Sequence, residues 1–253
     1  MIEHKTTSEE VLEFLRHIDT CTVSNAIESF DIRMRDEGYI HAGLKCICPK
    51  LPPVAGYAVT GRIRTTVPPV IRNRCYYNTP EWWEYVANAP RPKVIVLLDS
   101  DDAPGVGAFF GQIHMEISKA LGCVAYISNG SIRDLGEIQA ANFPCFAGGV
   151  SPSHAYAHII EFGEIIEMGT LKIAPGDLLH ADCHGVQKIP LEIASQLPER
   201  ASQVLSREAK LIDLCRSADF SIEKLKATFA AADTFQPFIQ QSRMSRKNGN
   251  ETR

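Results

Sequence analysis

The sequence predicts an α/β domain with a mixed, partly barrel-like sheet and helical extensions at both ends. Three observations carry this prediction. Across residues 57–190, short apolar or alternating runs recur between glycine- and proline-bearing turns, which is the rhythm of many strands with few helices between them. Residues 93–98 (KVIVLL) and 123–127 (CVAYI) are almost unbroken apolar runs, the mark of strands covered on both faces. Helical spacing dominates near the two ends instead. A chain of 253 residues with 45% apolar content can bury one substantial core. We read residues 1–235 as a single domain with terminal helices, and 236–253, with Arg243, Arg246 and Lys247, as a basic, disordered tail.

The elements follow in order. Thr7 with Glu10 three residues on fits a capping box, and Val11, Leu12, Leu15 and Ile18 form an apolar helical stripe. Residues 22–27 (TVSNAI) begin a second helix, with Asn25 as a cap or packing residue. Residues 31–53 hold two glycines and three prolines and read as irregular. In 57–66 (YAVTGRIRTT), Val59, Ile63 and Thr65 alternate with Ala58, Thr60, Arg62 and Arg64, so this is a strand whose arginines are expected in solvated ion pairs. Residues 80–86 form a helix with proline in its first turn and Trp82, Trp83 and Tyr85 as packing aromatics. Strand 93–98 then delivers Asp99, Asp101 and Asp102 beside a glycine-rich loop, where cap roles and metal contact are equally open.

That loop opens the stretch around which the chain is organised, residues 105–137. Gly105, Gly107 and Gly111 leave little bulk ahead of a helix, so the backbone N–H groups of 105–110 can point at one small anion. In the helix, Ile113, Ile117, Ala120 and Leu121 recur at core spacing, with Gln112, Glu116 and Lys119 on a polar flank. Gly122 stops it. Strand 123–127 leads to Asn129-Gly130, read as a turn, and Arg133-Asp134 follows at the strand's exit, where open α/β sheets place ligand chemistry. A short helix over 135–141, a strand over 143–147, a break at Gly148-Gly149, alternating stretches within 162–173 and strands at 178–181 and 185–190 complete the middle. From Ile193, helical residues including Val204, Leu211, Ile212 and Leu214, then 222–231, form a packing or oligomerisation extension.

Composition excludes several classes. Eight scattered cysteines in a long chain with no CxxC argue for free, mostly buried thiols. A net charge of −4 disfavours nucleic acid as a partner. No apolar run is long enough for a membrane span and the amino terminus lacks a secretory pattern, so a cytoplasmic protein is expected. There is no nucleophile elbow, H-E-x-x-H or Walker loop. His180, Asp182 and His184 have an H-x-D-x-H spacing that a strand would present on one face to a transition metal. A hydrogen-bonded turn or interface role is the favoured reading of that triplet.

Gln112, twenty intervening residues and Arg133-Asp134, set in G-A-x-x-G, L-G-C and N-G-S-I-R-D, resemble the RraA-like family. That group includes the regulator of ribonuclease E activity A and divalent-metal aldolases that cleave 4-hydroxy-4-methyl-2-oxoglutarate and 4-carboxy-4-hydroxy-2-oxoadipate. The resemblance runs from Val23-Ser24-Asn25-Ala26 through Pro175-Gly176-Asp177, Ala181-Asp182 and Gly185-Val186 to Ile189-Pro190. It implies a swivelling β/β/α architecture, a homotrimer or a dimer of trimers (a homohexamer), and active sites at subunit interfaces. It also implies a metal-dependent lyase, an aldolase or oxaloacetate decarboxylase acting on small 2-oxo or hydroxy carboxylic acids. Asp134 would hold Mg²⁺ or Mn²⁺, Arg133 would bind substrate, and the amides of Gly107, Ala108, Phe109, Phe110 and Gly111 would hold pyruvate. Glu208 would stand for the glutamate such aldolases take from a neighbouring subunit.

The residue chemistry agrees. Cleaving a bond beside a 2-oxo acid leaves negative charge on the keto oxygen, and a hard divalent cation stabilises it without proton transfer. Asp134 is a hard oxygen ligand and Arg133 can fork onto a carboxylate. Gln112 and Asn129 stand where the aldolases are generally or often acidic, and an amide can neither carry charge nor take a proton. Two alternatives therefore remain: an isomerisation or hydration at the same metal site, or a ribonuclease-regulator-like protein that binds without chemistry.

Overall fold

The structure is a computed structural model that describes residues 6–41, 43–70 and 79–232. The basic tail and Cys75 lie outside them. The described residues fall into two compact units, one within 1–21 and 36–195, the other within 22–35 and 196–253.

The larger unit holds a nine-stranded mixed sheet. Its centre is parallel: β2 (Val54–Arg64) pairs with β3 (Lys93–Asp99), β3 with β5 (Cys123–Ile132), and β5 with β6 (Cys145–Val150). The flanks are antiparallel, with β1 (Lys45–Cys46) on β6, β7 (His158–Phe162) on β2, and β10 (Leu178–Asp182) between β2 and β11 (Gly185–Ile189). The segment leading into β1 bridges to β11 through Tyr39 and Gln187, and the Ile40 N–H donates to the Val186 carbonyl at 3.0 Å. One stretch of chain thus touches both edges, and the sheet nearly closes into a barrel, as the sequence predicts.

Both faces of the sheet are covered, which is why its central strands read as unbroken apolar runs. On one face, Val94, Val96, Ala125, Ile127 and Phe146 pack with Ile166, Met168, Leu171 and Ile173 from the hairpin β8 (Ile166–Met168) and β9 (Leu171–Ile173). On the other, Ile95, Leu97 and Tyr126 meet α3 (Pro80–Asn88), α4 (Gln112–Ala120) and α5 (Leu135–Ala140) through Trp82, Val86, Met115 and Ile138. Lys93 opens β3 fully buried, and its ammonium donates to the carbonyls of Ala87 (2.8 Å) and Leu121 (3.0 Å) at the ends of α3 and α4. A cation there satisfies helix carbonyls that would otherwise lack partners.

Several expectations need correction. The cap of α1 (Glu9–Leu15) is Ser8, whose hydroxyl accepts from the Val11 N–H, and not Thr7, whose N–H instead donates to the Tyr57 hydroxyl at 2.8 Å. Helix α2 spans Thr20–Glu28 and starts earlier than its local pattern suggests, because the Thr20 N–H is capped by Asp182 from a distant strand at 2.8 Å. In β2 both faces are buried up to Gly61, so the alternation holds only toward Arg62–Arg64, where Arg62 pairs with Glu161 at 3.0 Å. Asn129-Gly130 is no terminal turn: β5 continues through it to Ile132, with a register shift between Ser128 and Ser131. Gly148-Gly149 likewise lies inside β6.

Helix α4 turns a different face inward. His114, Met115 and Ser118 are buried, whereas Ile113 is 54% exposed and Ala120 is also exposed. The imidazole is tolerated because it packs on Phe109 and Trp83 at ring distances of 4.6 and 5.7 Å, and Ser118 donates its hydroxyl proton to the His114 carbonyl at 2.6 Å. Aromatic and local hydrogen-bonding partners thus compensate polar groups that a hydrophobic stripe would not predict. The smaller unit contains α6 (Leu197–Arg216), in contact with α7 (Ile222–Ala232).

Candidate active site

The site forms where β5 and a short parallel strand, β4 (Ala108–Phe110), end side by side. Phe110 aligns with Ile132, and the Arg133 N–H donates to the Phe110 carbonyl at 3.0 Å. Each strand then gives way to a helix. Gln112 opens α4 just as Asp134 precedes α5, so residues far apart in sequence share one corner. Asp134 adopts the left-handed conformation, φ 57 and ψ 47, which non-glycine residues rarely hold and aspartate tolerates better than most. That turn carries its carboxylate away from its own helix: Oδ2 accepts from the Gln112 N–H at 2.9 Å and lies 3.5 Å from the Arg133 Nε. Asp134 therefore caps the start of α4 from outside that helix, taking up a backbone donor that the first turn cannot pair internally. Both side chains are about one-third exposed, Arg133 at 30% and Asp134 at 32%.

Gly111 is what allows this approach. A Cβ there would lie 2.5 Å from the Asp134 Oδ2 and 3.0 Å from the Arg133 Cγ. At φ −154 the backbone is ordinary extended chain, so space, not conformation, requires the glycine.

The glycine loop is held from beneath. Asp99, buried at the end of β3, accepts from Gly105 N–H (2.8 Å) and Asp101 N–H (3.2 Å). Burial pushes its carboxyl above the ordinary range despite those bonds. Asp101 accepts from the Thr65 and Thr66 N–H groups at 2.6 and 2.9 Å, and although burial raises its carboxyl, those bonds outweigh it and hold it low. Asn129 clamps β3 to β5, accepting from the Asp99 N–H at 2.7 Å and donating to the Asp99 carbonyl at 2.9 Å. An aspartate could make only the first bond. Asn129, Asp99 and Asp101 are thus architectural: the two aspartates take the cap-type role that the sequence left open, and the role of Asn129 was hidden by taking Asn129-Gly130 for a turn.

Of the residues singled out by sequence, Gln112, Arg133, Asp134 and Gly111 meet at this corner. Ala108, Phe109 and Phe110 offer backbone only, since their side chains are buried and Phe110 stacks on Tyr126 at 3.9 Å. Two loop amides are engaged within the protein, Gly105 by Asp99 and Ala108 by the Ser153 carbonyl at 2.9 Å. Gly107 packs closely against His154 and Ala155, where a Cβ would lie 2.5 Å from the His154 carbonyl oxygen. Glu208 lies on α6 in the smaller unit, where it accepts from the Asn25 amide at 3.2 Å.

A family model described as RraA-like, Aldolase/RraA, matches residues 20–187. The chain belongs to the RraA-like family. Both strand-exit motifs fall inside that match. An uncharacterized protein of Pseudomonas syringae pv. tomato shares the fold, with a TM-score of 0.70 at 22% identity over 90% of this chain and 98% of that one. Curated relatives match over less. An uncharacterized protein of Methanocaldococcus jannaschii is 28% identical over 107 residues, 41% of this chain and 50% of its own length. A protein of Halalkalibacterium halodurans named as a putative 4-hydroxy-4-methyl-2-oxoglutarate aldolase is 33% identical over 84 residues, 33% of this chain and 40% of its own length. The chain thus spans half or less of the curated relatives it matches.

Proposed function

We propose that this RraA-like protein is a divalent-metal-dependent carbon–carbon lyase acting on small 2-oxo or hydroxy carboxylic acids, an aldolase or oxaloacetate decarboxylase. The observation that carries this reading is the Asp134 carboxylate, held at the start of α4 by the Gln112 N–H, one-third exposed and 3.5 Å from the Arg133 guanidinium. The name of the Halalkalibacterium relative supports the substrate class.

The donor set suits a hard cation. Mg²⁺ or Mn²⁺ binds through one or two carboxylates, waters and the substrate's own oxygens, and Asp134 offers one such carboxylate with Oδ2 already fixed in direction. When bound, the cation supplies Lewis-acid polarisation of the 2-oxo group. Arg133 orients the substrate carboxylate by charge-assisted hydrogen bonds, and the first-turn amides of α4 favour a second anionic oxygen. Gln112, exposed on that first turn, can hold a water but cannot take its proton. For that reason an isomerisation or hydration at the same metal site, or binding without chemistry as in a ribonuclease regulator, is the second reading. We further propose a homotrimer or dimer of trimers, with Glu208 or an equivalent acid reaching the site from a neighbouring subunit.

The deciding experiment is pyruvate release from oxaloacetate and from 4-hydroxy-4-methyl-2-oxoglutarate, with Mg²⁺ or Mn²⁺ and then with chelator. The lyase reading expects metal-dependent release that falls by roughly a hundredfold or more in Asp134→Ala. Metal binding without release points to another small-acid reaction, and absence of both points to a binding protein.

A further inference from the structure

We propose a second metal site, for a borderline-soft divalent cation of the zinc type, held by Asp19, Cys21 and His184. It sits at the end of the sheet opposite the candidate active site. Ala181 pairs with Val54 at the start of β2, whereas Arg133-Asp134 leave the far end of β5, whose strand runs parallel with β3 and β2.

The H-x-D-x-H spacing does not itself form this site. His180 is buried with both ring nitrogens engaged, Nδ1 with the Thr20 hydroxyl at 2.9 Å and Nε2 with the Leu15 carbonyl at 2.8 Å. Asp182 is the organiser. One of its oxygens accepts from the Thr20 N–H at 2.8 Å, and the other accepts from the His184 N–H at 2.8 Å and meets the His184 Nδ1 at 3.1 Å. A single carboxylate therefore fastens the α1–α2 junction to the β10–β11 turn, across 162 positions of sequence.

This fastening collects ligands of mixed hardness. A carboxylate oxygen of Asp19, the Cys21 sulfur and a ring nitrogen of His184 all lie within 4.8 Å of one another. Asp182, Cys183 and His184 satisfy the same condition, and the Cys183 sulfur is 3.6 Å from the His184 Nδ1. An oxygen, a thiolate and an imidazole together select zinc-like ions over Mg²⁺ or Ca²⁺, which take oxygen ligands. A carboxylate on Nδ1 also makes Nε2 the ring's acceptor, the arrangement that orients and strengthens metal-bound histidines.

The geometry needs only a small closure. Tetrahedral bonds of about 2.0–2.3 Å place ligand atoms ~3.3–3.8 Å apart, so the cluster needs to contract by no more than about 1.5 Å. Cys21 and His184 are exposed and Asp19 half-buried, so rotamer changes suffice. Water would complete the fourth position, as in zinc sites with three protein ligands. The bound ion would staple the chain at Asp19–Cys21 to the β10–β11 turn, a role independent of the proposed lyase chemistry.

The test uses the full, tag-free chain kept reduced by a phosphine, titrated with Zn²⁺ by calorimetry and with Co²⁺ by absorption. Expected are one equivalent per chain at this site, a cobalt–thiolate absorption band, and a rise in melting temperature with Zn²⁺. Cys21→Ser should abolish the band, and Cys21→Ser and His184→Ala should each weaken Zn²⁺ by roughly tenfold or more, while Asp134→Ala leaves all three signals intact. Absence of saturable binding at micromolar metal, or binding unchanged by Cys21→Ser in a variant whose circular dichroism matches the parent, would overturn the proposal. Binding lost only in Asp134→Ala would overturn it too, by assigning the ion to the candidate active site.

Discussion

Asn129 shows how one side chain can look like lost chemistry and be architecture. Its amide makes two bonds of opposite sense to the backbone of Asp99, at 2.7 and 2.9 Å, and so holds β3 against β5 where the glycine loop departs. Restoring an acid there, Asn129→Asp, would turn the donor into an acceptor facing the Asp99 carbonyl. It would also place a second negative charge near the Asp99 carboxylate. Leaving a buried carbonyl unpartnered costs about 1–3 kcal/mol, and the nearby charge adds to it. Asn129→Asp is therefore expected to destabilise the fold by at least that much in urea denaturation without gaining metal affinity. A variant of unchanged stability that binds Mg²⁺ more tightly would show the position to be a vacated ligand instead.

Among the elements, the strands were the legible part and the helix ends were not. Residues 93–98 and 123–127 declared themselves because burial on both faces leaves no room for polar residues. Arg133-Asp134 does stand at a strand's exit as expected, but the exit was placed by a turn at Asn129-Gly130, whereas β5 runs on to Ile132. Three things escaped: the inward face of α4, the extension of β5 through Asn129-Gly130, and the start of α2. Each depends on a partner distant in sequence, respectively the aromatic bed of Phe109 and Trp83, the neighbouring strand β6, and Asp182. The apposition of Gln112 and Asp134 had the same hidden cause, a glycine whose missing Cβ is felt only in three dimensions.

The α1–α2 junction yields a pH prediction. Burial raises the Asp182 carboxyl, but the bonds from Thr20 and His184 outweigh this and hold it below the ordinary 3.8. A depressed carboxylate binds fewer protons folded than unfolded, so its contribution is present above that ordinary value and lost as pH falls through the lower folded one. Asp99 has the opposite sign. Its raised carboxyl contributes stability below the ordinary value that is lost as pH rises through its folded one. Asp182→Asn should thus lower stability at neutral pH by about 1–3 kcal/mol and flatten the acid limb of the stability curve. Thermal melts between neutral and strongly acid pH would show it, and an acid limb as steep as the parent's would refute the assignment.

At the scale of the whole molecule, the surface beside the site argues for a second copy of the chain. Val106 in the glycine loop, Ile113 on the first turn of α4, Val150 at the end of β6 and Tyr156 beyond it are each more than half exposed, at 52%, 54%, 57% and 54%. They belong to neighbouring segments: Ser151 donates to the Val106 carbonyl at 3.1 Å, the Ala108 N–H to the Ser153 carbonyl at 2.9 Å, and Val150 pairs with Ile132, next to Arg133. Large apolar side chains gathered around a polar corner are unusual on a monomer and ordinary at an interface. Contact between this patch and a different patch on the next copy closes into a ring when the rotation allows, as in a trimer. Sedimentation equilibrium should then give a multiple of 28.0 kDa, and Ile113→Glu with Val150→Glu should shift the mass toward one chain. If the site is completed across that interface, pyruvate release falls with the assembly, although neither substitution touches Arg133 or Asp134. A parent protein that sediments only at the mass of one chain at micromolar concentration would remove the oligomer, and with it any acid supplied from a neighbour.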